Sequence, residues 1–245
     1  MKVLVVFAHP EPRSFCAAMK DRAVAFFSAR GHDVLISDLY AMGFDPVAKA
    51  EDFAYRRDPD YLVYALEQRH AFETGTLAPD IRAEVDKLLA ADVLLLVFPL
   101  WWFSVPAILK GWFDRVFLSG PFYGGRRFYD RGGLAGKRAA CLITAGSRAH
   151  MLREGGIHGP LELVLRHLLQ GTLGYVGFTV LPPFVAWHVP YVDEATRADY
   201  LCALERYLEE FDRLAPLPLP SLADFDELMR PRGARAETSG ADATR

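Results

Sequence analysis

Cysteine is scarce in this chain, and its few occurrences are not paired. The 245 residues include only Cys16, Cys141 and Cys202, which lie far apart and show no CxxC spacing. This pattern excludes a disulfide scaffold or a zinc ribbon and favours a reducing, cytoplasmic setting. No HExxH motif and no spaced set of cysteine and histidine occurs, so we expect no metal site.

A strong charge and a long hydrophobic run are also missing. The formal net charge of −3 creates no overall field that would attract nucleic acid or an anionic membrane. The longest apolar stretch, 93–103, contains Pro99 and is shorter than the roughly 18 residues of a membrane-spanning helix. The N-terminal apolar run, 3–8, is too short for the core of a signal peptide. We therefore expect neither a nucleic-acid partner nor a membrane span.

The composition that remains is globular, with 51% hydrophobic and 24% charged residues. The predicted strands are 2–7, 33–37, 92–98, 137–144 and 178–182, and the predicted helices are 16–30, 79–89, 105–117, 161–169 and 193–214. This alternation predicts an α/β fold, a doubly wound five-stranded parallel sheet with helices on both faces. We assign this domain to 1–214, a proline-rich C-terminal extension to 215–230 and a disordered tail to 231–245.

Ligands of such sheets bind beyond the carboxyl ends of the strands, where the strand order reverses. The loops concerned are 8–16, 99–104 and 144–159. In the first loop, Ser14 is placed to cap a helix whose N-terminus suits a phosphate, and His9 adds a hydrogen-bond donor. An ordinary helix cap and an ordinary loop histidine explain these residues equally well. Neither GxGxxG nor GxxxxGK[ST] is present, which argues against the dinucleotide and P-loop motifs.

The second loop is unusual for its consecutive aromatic residues. Trp101, Trp102 and Phe103 follow a central strand, where polar turn residues are usual. Flat apolar side chains at this point suit one wall of a slot for a planar ring. The alternative is that some of these rings cap the core or lie in a subunit interface, and both can hold at once.

The third loop combines small residues with a histidine. Residues 144–147, Thr-Ala-Gly-Ser, allow backbone amides to approach a ligand closely. His158 lies in a glycine-rich stretch, where it can exchange a proton near neutral pH. An ordinary surface histidine is the alternative. A short basic patch, 125–128, is interpreted as a solvated turn, because the net charge of the chain is slightly negative.

Taken together, these segments resemble the NAD(P)H:quinone oxidoreductases of the DT-diaphorase type. The resemblance rests on AHPEPRSF (8–15), SDLYAMGFDP (37–46), FPLWWFSVPAILKGWFDRVF (98–117), FYD (128–130), GIHG (156–159) and PSLADFD (220–226). It implies a flavodoxin-like fold and a homodimer on which the C-terminal extension packs. It also implies a cytoplasmic FAD enzyme that passes hydride from NAD(P)H through flavin N5 to a quinone. FMN is less favoured, because the longer members of the family match more of this chain.

The resemblance also assigns roles to single residues. Those expected to bind the cofactor are His9, Ser14, Phe15, Cys16, Pro99, Leu100, Trp102, Phe103, Thr144, Ala145, Gly146 and Ser147. His158 matches a histidine near the flavin O2 edge and is the expected catalytic residue. The expected substrate pocket consists of Trp102, Phe103, Leu152 and His158, with Tyr123 covering it from the partner subunit.

Several positions depart from the family pattern. Leu152 stands where a tyrosine pairs with the histidine, and Cys16 stands where an asparagine commonly contacts the pyrophosphate. Val63 replaces a common glutamine, while Ala145 and Ser147 interrupt a Thr-Thr-Gly-Gly loop. Each change removes a polar contact. Two other functions therefore stay open: a flavin reductase of a nitro compound, an azo compound or a specific metabolite, and a regulatory flavin-binding subunit.

Overall fold

One parallel sheet forms the centre of the computed structural model, which describes residues 1–232. Its strands are β1 (Lys2–Phe7), β2 (Asp33–Asp38), β3 (Val93–Pro99), β4 (Arg138–Thr144), β5 (Thr179–Val180) and β6 (Phe184–Ala186). They are ordered β2-β1-β3-β4-β5. The segment β6 pairs with the C-terminal part of β4, and β5 pairs with its N-terminal part. Every pairing is parallel, with Val5 opposite Leu95 and Leu96 opposite Cys141 at the centre. The predicted parallel α/β fold is confirmed.

The hydrophobic sequence of the central strands explains their position. Every residue of β3 is buried, as are all but the first residues of β1 and β4. Strands that are apolar on both sides require cover on both faces, which parallel sheets obtain from their crossover helices. Apolar residues on the two faces of the sheet accordingly belong to two separate core clusters.

The helices lie on both faces of the sheet. They are α1 (Phe15–Ala29), α2 (Tyr64–Thr74), α3 (Pro79–Ala90), α4 (Ala107–Val116), α5 (Leu161–Val164), α6 (Arg166–Leu168) and α7 (Glu194–Glu209). The helices α1 and α7 share one core cluster, and α3 and α4 share the other. None of the helices within residues 1–232 is long and apolar enough to cross a bilayer.

The fifth strand differs from the prediction of a single strand at 178–182. It consists of two short segments, β5 and β6, which pair with successive parts of β4. The break contains Pro182 and Pro183, which have no backbone N–H to donate to a sheet ladder. The sheet therefore has six strand segments where the sequence predicts five strands.

Three helical predictions are also corrected. The sequence analysis missed α2, because no helix was predicted between 37 and 79. The helix predicted at 161–169 is divided into α5, α6 and a π-helical turn, Leu169–Gly174. The helix predicted at 193–214 begins as expected but ends at Glu209, ahead of Pro216.

The proline-rich extension packs on its own chain. The amide of Leu217 donates to the carbonyl of Val180 at 2.8 Å, which extends the sheet edge. Ser221 and the amide of Leu222 both donate to the carboxylate of Asp130. At the start of the predicted tail, Arg232 donates to the backbone of the extension. Residues 233–245 of that tail lie outside the described residues.

Candidate active site

The carboxyl ends of four strands meet at one edge of the sheet and are tied together by backbone hydrogen bonds. The amide of Ala8, after β1, donates to Val97 of β3 at 3.0 Å. The amide of Leu100, after β3, donates to Thr144 of β4 at 2.8 Å. The amide of Ala145, after β4, donates to Ala186 of β6 at 2.9 Å. The structure therefore brings the three predicted loops together around one crevice.

The N-terminus of α1 offers unused backbone donors at this crevice. Ser14 is the N-cap, and its Oγ accepts from the amide of Ala17 at 3.1 Å. The amides of Phe15 and Cys16 have no acceptor among the described residues. Free amides and the positive end of the helix dipole favour an anion at this position.

His9, in the loop that leads into the same helix, is a neutral donor. Its Nδ1 accepts from the amide of Glu11 at 3.0 Å, which leaves the ring proton on Nε2. Partial burial lowers the pKa of His9 from its ordinary value, so the ring is neutral at pH 7. Arg13 is exposed and paired with Glu11 at 3.3 Å.

The aromatic loop is a tight turn that displays Trp102. Trp101 and Ser104 exchange backbone hydrogen bonds of 3.1 and 2.9 Å. Between them, Trp102 and Phe103 adopt φ angles of 51° and 57°, which are costly for bulky residues. Trp102 is 96% exposed. The turn therefore exposes a flat apolar surface at the expense of backbone strain.

The turn is supported from the segment that follows β4. The Oγ of Ser104 and Nε2 of His167 are hydrogen-bonded at 2.9 Å. The ring of Phe103 lies 4.9 Å from the ring of His158, measured between centroids. Backbone geometry fixes His158 as well, because its amide donates to the carbonyl of Met151 at 3.0 Å. Phe103 and His158, both predicted site residues, are thus in contact.

The thiol of Cys16 faces the interior. It is buried, and burial raises its pKa to about 12. A thiol in this environment stays protonated and is not a nucleophile. Cys16 and Thr144 were both predicted to bind the cofactor. Cys16 offers the crevice its backbone amide, and Thr144 is almost fully buried.

The loop after β4 is held by His188. The Nδ1 of His188 is hydrogen-bonded to the carbonyl of Gly146 at 2.9 Å, and its amide donates to Ser147 at 3.0 Å. Ala145 is buried, whereas a Cβ built on Gly146 would meet no atom within 4 Å. The backbone at Gly146 is therefore open to a ligand, as expected for an edge that a planar ring approaches.

Two predicted residues lie away from the aromatic turn. Leu152 is only 4% exposed, belongs to the core and borders a different cavity together with Trp187. Tyr123 is half-buried beside Tyr175, with ring centroids 5.7 Å apart. Within one chain, neither residue borders the cavity of about 510 Å³ that Trp101 and Trp102 line.

The sequence analysis missed Arg197. Its Nε is buried without a hydrogen-bond partner in the described chain, and its Nη2 donates only to the carbonyl of Val189 at 3.3 Å. Val189 in turn donates to Ala145, so the guanidinium lies near the loop after β4. The sequence contained one indication of this residue, because Arg197 is in the first turn of α7, where the helix dipole disfavours a cation.

A doubly wound parallel sheet with the order 2-1-3-4-5 and a crevice at its carboxyl edge defines a flavodoxin-like α/β protein. Comparison with known proteins agrees, because the family model described as the flavodoxin-like fold matches residues 1–210. The chain belongs to this family. The predicted family and fold are therefore confirmed.

Individual relatives refine this assignment. The chain is 38% identical over 226 residues to NAD(P)H dehydrogenase [quinone] 1 of Cavia porcellus, covering 92% of this chain and 82% of the relative. It is 40% identical over 218 residues to ribosyldihydronicotinamide dehydrogenase [quinone] of Pongo abelii, covering 89% and 94%. A crystal structure from Klebsiella pneumoniae, assigned as a quinone reductase, superposes with a TM-score of 0.91 at 37% identity, covering 100% and 98%. The chain is an oxidoreductase similar to NAD(P)H dehydrogenase (quinone).

Proposed function

We propose that this chain is an FAD-dependent reductase that uses NAD(P)H to reduce a quinone by two electrons. The name of the Cavia porcellus relative supports NAD(P)H as the donor, and the names of both relatives support a quinone as the acceptor. The observation that supports a flavin most directly is the turn at Trp102 and Phe103. A nearly fully exposed tryptophan on a strained backbone is unfavourable by itself, and strain of this kind clusters at ligand sites.

The residues of the crevice fit a flavin dinucleotide. The aromatic turn and the open backbone at Gly146 suit a planar ring with polar edges. The free amides of Phe15 and Cys16, together with neutral His9, suit a phosphate. The orphaned Nε of Arg197 suits a second anionic group, which favours FAD over FMN.

Each part of the chain then has a defined task. The bound flavin supplies hydride acceptance from the reduced nicotinamide and hydride donation to the quinone. The turn at Trp102 and Phe103 orients the ring, and the amide at Gly146 approaches its polar edge. His158 stabilises negative charge or delivers a proton where charge develops on reduction. Leu152 is buried and apolar, so His158 acts without a hydroxyl partner at that position.

We further propose that the enzyme is a cytoplasmic homodimer. Tyr123 does not approach Trp102 within one chain, so it reaches a substrate slot only from a second copy. A run of exposed apolar side chains lies between Tyr55 and Leu66, and such patches mark protein interfaces. The three thiols are unpaired, in keeping with a reducing compartment.

The test is to identify the chromophore and then to reduce it. The purified protein is heated, the released flavin is identified by chromatography, and the holoenzyme is treated anaerobically with NADH or NADPH. We expect FAD that bleaches with one of these donors and regains its colour with a quinone. Released FMN would contradict the cofactor, no bleaching would contradict the reaction, and faster reoxidation by nitro or azo compounds would contradict the acceptor.

A pair of variants tests the phosphate contacts separately. Arg197→Gln is expected to weaken FAD binding roughly tenfold or more, because a charge-assisted hydrogen bond is lost. Arg213→Gln removes the same charge from an exposed position just after α7 and should leave FAD affinity unchanged. Equal FAD affinities of the two variants would show that Arg197 does not bind FAD.

A further inference from the structure

His188 has an unusual backbone conformation for its residue type. It follows β6 in the chain, and its φ and ψ angles of 56° and 27° lie in the left-handed region. Glycine enters this region readily, asparagine and aspartate do so less often, and other residues rarely do. The turn is closed by Tyr191, whose amide donates to the carbonyl of His188 at 2.9 Å. Such a conformation persists only where surrounding contacts fix it, and it is frequent at ligand sites.

The contacts that fix His188 are two hydrogen bonds to consecutive carbonyls of the loop after β4. Its amide donates to the carbonyl of Ser147 at 3.0 Å, and its Nδ1 lies 2.9 Å from the carbonyl oxygen of Gly146. Because a carbonyl oxygen only accepts, Nδ1 carries the ring proton. The amide of Val189 donates to the carbonyl of Ala145 at 3.0 Å. His188 and Val189 therefore bind three successive carbonyls of this loop.

The bound carbonyls determine where the amides of the same peptide groups point. In a trans peptide the C=O and N–H bonds point to opposite sides, so the amides of Gly146 and Ser147 point away from His188. The strands β6 and β3 lie on opposite sides of β4, so these amides face the aromatic turn that follows β3. Neither amide has an acceptor among the described residues. Successive unpaired amides of this kind suit an oxygen atom that carries negative charge.

We propose that His188 is a positioning residue of the flavin site. By holding the carbonyl of Gly146, it keeps the amides of Gly146 and Ser147 directed at the polar edge of the ring, where negative charge develops on reduction. Donors that are fixed in advance need no reorganisation, so they stabilise the reduced flavin more than the oxidised flavin. The inference rests on the proposed function and adds to it a residue that acts through the backbone of the loop.

Two substitutions at position 188 separate the hydrogen bond from the backbone conformation. His188→Gly keeps the left-handed conformation, relieves its strain and removes the ring donor. His188→Asn also tolerates this conformation, and its side-chain amide offers an N–H to the carbonyl of Gly146. His32→Gly is the matched control, because His32 directly precedes β2 and therefore lies at the opposite edge of the parallel sheet.

The full-length protein, freed of flavin, is titrated with FAD, and the two-electron reduction potential of the reconstituted protein is measured against a reference dye. We expect His188→Gly to weaken FAD binding roughly three- to tenfold, the usual effect of one lost hydrogen bond between neutral groups. It should also lower the reduction potential by up to about 30 mV, which is a tenfold change for a two-electron couple. His188→Asn and His32→Gly should match the unmodified protein in both measurements.

Urea denaturation of the flavin-free variants identifies a purely structural role, which would change stability but leave the potential where it was. That result, equal losses in His188→Gly and His32→Gly, or a His188→Asn variant that behaves like His188→Gly would overturn the proposal. His188→Ala, which also lacks the donor, takes the place of the glycine variant if that variant does not fold.

The same titration distinguishes this inference from the proposed function. An unmodified protein that takes up no FAD would contradict the proposed function and, with it, the role of His188. Uptake of FAD with an affinity and a potential that do not depend on position 188 would contradict only the role of His188.

Discussion

At the scale of single residues, the most informative position is Trp102. Its side chain is almost entirely exposed and adds little packing to the fold, while its backbone occupies a region that suits glycine. Residues held in such conformations typically cost on the order of 1–3 kcal/mol each. The side chain is thus better explained by binding than by folding.

Trp102→Gly separates these two roles. Glycine relieves the strain but adds conformational entropy to the unfolded chain, so we expect the free energy of unfolding of the flavin-free protein to rise by about 1 kcal/mol. The same variant should bind flavin more weakly, because one wall of the crevice is lost. Urea denaturation and a flavin titration measure the two effects.

A matched substitution controls for the general effect of glycine. Leu163 is also a large exposed apolar residue, it lies outside the 55–66 segment, and its φ angle is not positive. Leu163→Gly should lower stability slightly, by about 0.5–1 kcal/mol at most, the ordinary effect of glycine. If Trp102→Gly is destabilised as much as Leu163→Gly, the strain at the turn is not significant.

At the scale of secondary-structure elements, a buried ion pair fastens the 45–64 stretch to α4. Nη2 of Arg115 lies 2.8 Å from Oδ1 of Asp52, and both side chains are almost completely buried. The hydroxyl of Tyr64 donates to Asp52 at 2.6 Å, and Nη1 of Arg115 donates to Asp80 at 2.8 Å. The chain segment leading into α2 is therefore held by charge rather than by a sheet.

Arg115→Met is expected to lower the free energy of unfolding by about 3–5 kcal/mol, because it leaves Asp52 buried without its counter-ion. The double variant Arg115→Met/Asp52→Asn should lose much less free energy of unfolding than the sum of the losses of the two single variants. Lys110→Met breaks the exposed pair with Asp114 on the same helix and should cost less than about 1 kcal/mol. Additive effects in the double variant, measured by urea denaturation, would disprove the coupling.

The sequence predicted those elements whose pattern is local. The strand predicted at 2–7 is β1 residue for residue, β4 begins one residue later than predicted, and β3 is shifted by one residue at both ends. Continuous apolar runs bounded by turns identify such strands. The helix α2 was missed because its buried residues include Glu67 and Gln68 rather than an apolar stripe. Glu67 accepts from the amide of Arg57, and Gln68 donates to the carbonyl of Asp114 in α4.

The order of the strands in the chain predicts which loops form the candidate site. It does not predict which side chains of those loops point into the site. Parallel topology places the ends of β1, β3 and β4 together, so the three loops were foreseeable. Whether Leu152 faces the crevice or the core depends on packing, and the structure buries it. Arg197 approaches the loop after β4 through its hydrogen bond to Val189, a contact that depends on packing and that the sequence pattern does not show.

At the scale of the whole molecule, the exposed segment from Tyr55 to Leu66 is the feature a single chain leaves unexplained. Tyr55 and Tyr61 are largely exposed, and Leu62, Val63 and Leu66 are more than a third exposed. Burying apolar surface contributes roughly 25 cal/mol per Å², so a surface of this kind favours association. This segment is the face that we expect to lie in the homodimer.

Leu66→Asp tests this assignment, because a carboxylate buried in an apolar interface is strongly unfavourable. We expect sedimentation velocity to give the mass of two chains for the unmodified protein and of one chain for the variant, with an unchanged circular dichroism spectrum. Leu89→Asp is the control, since Leu89 is similarly exposed on α3, outside the segment. In the proposed homodimer Tyr123 reaches the slot from the second copy, so the Leu66→Asp monomer should also lose quinone reduction. A Leu66→Asp variant that stays dimeric would show that the interface lies elsewhere. A monomer that stays fully active would show that one chain contains a complete site.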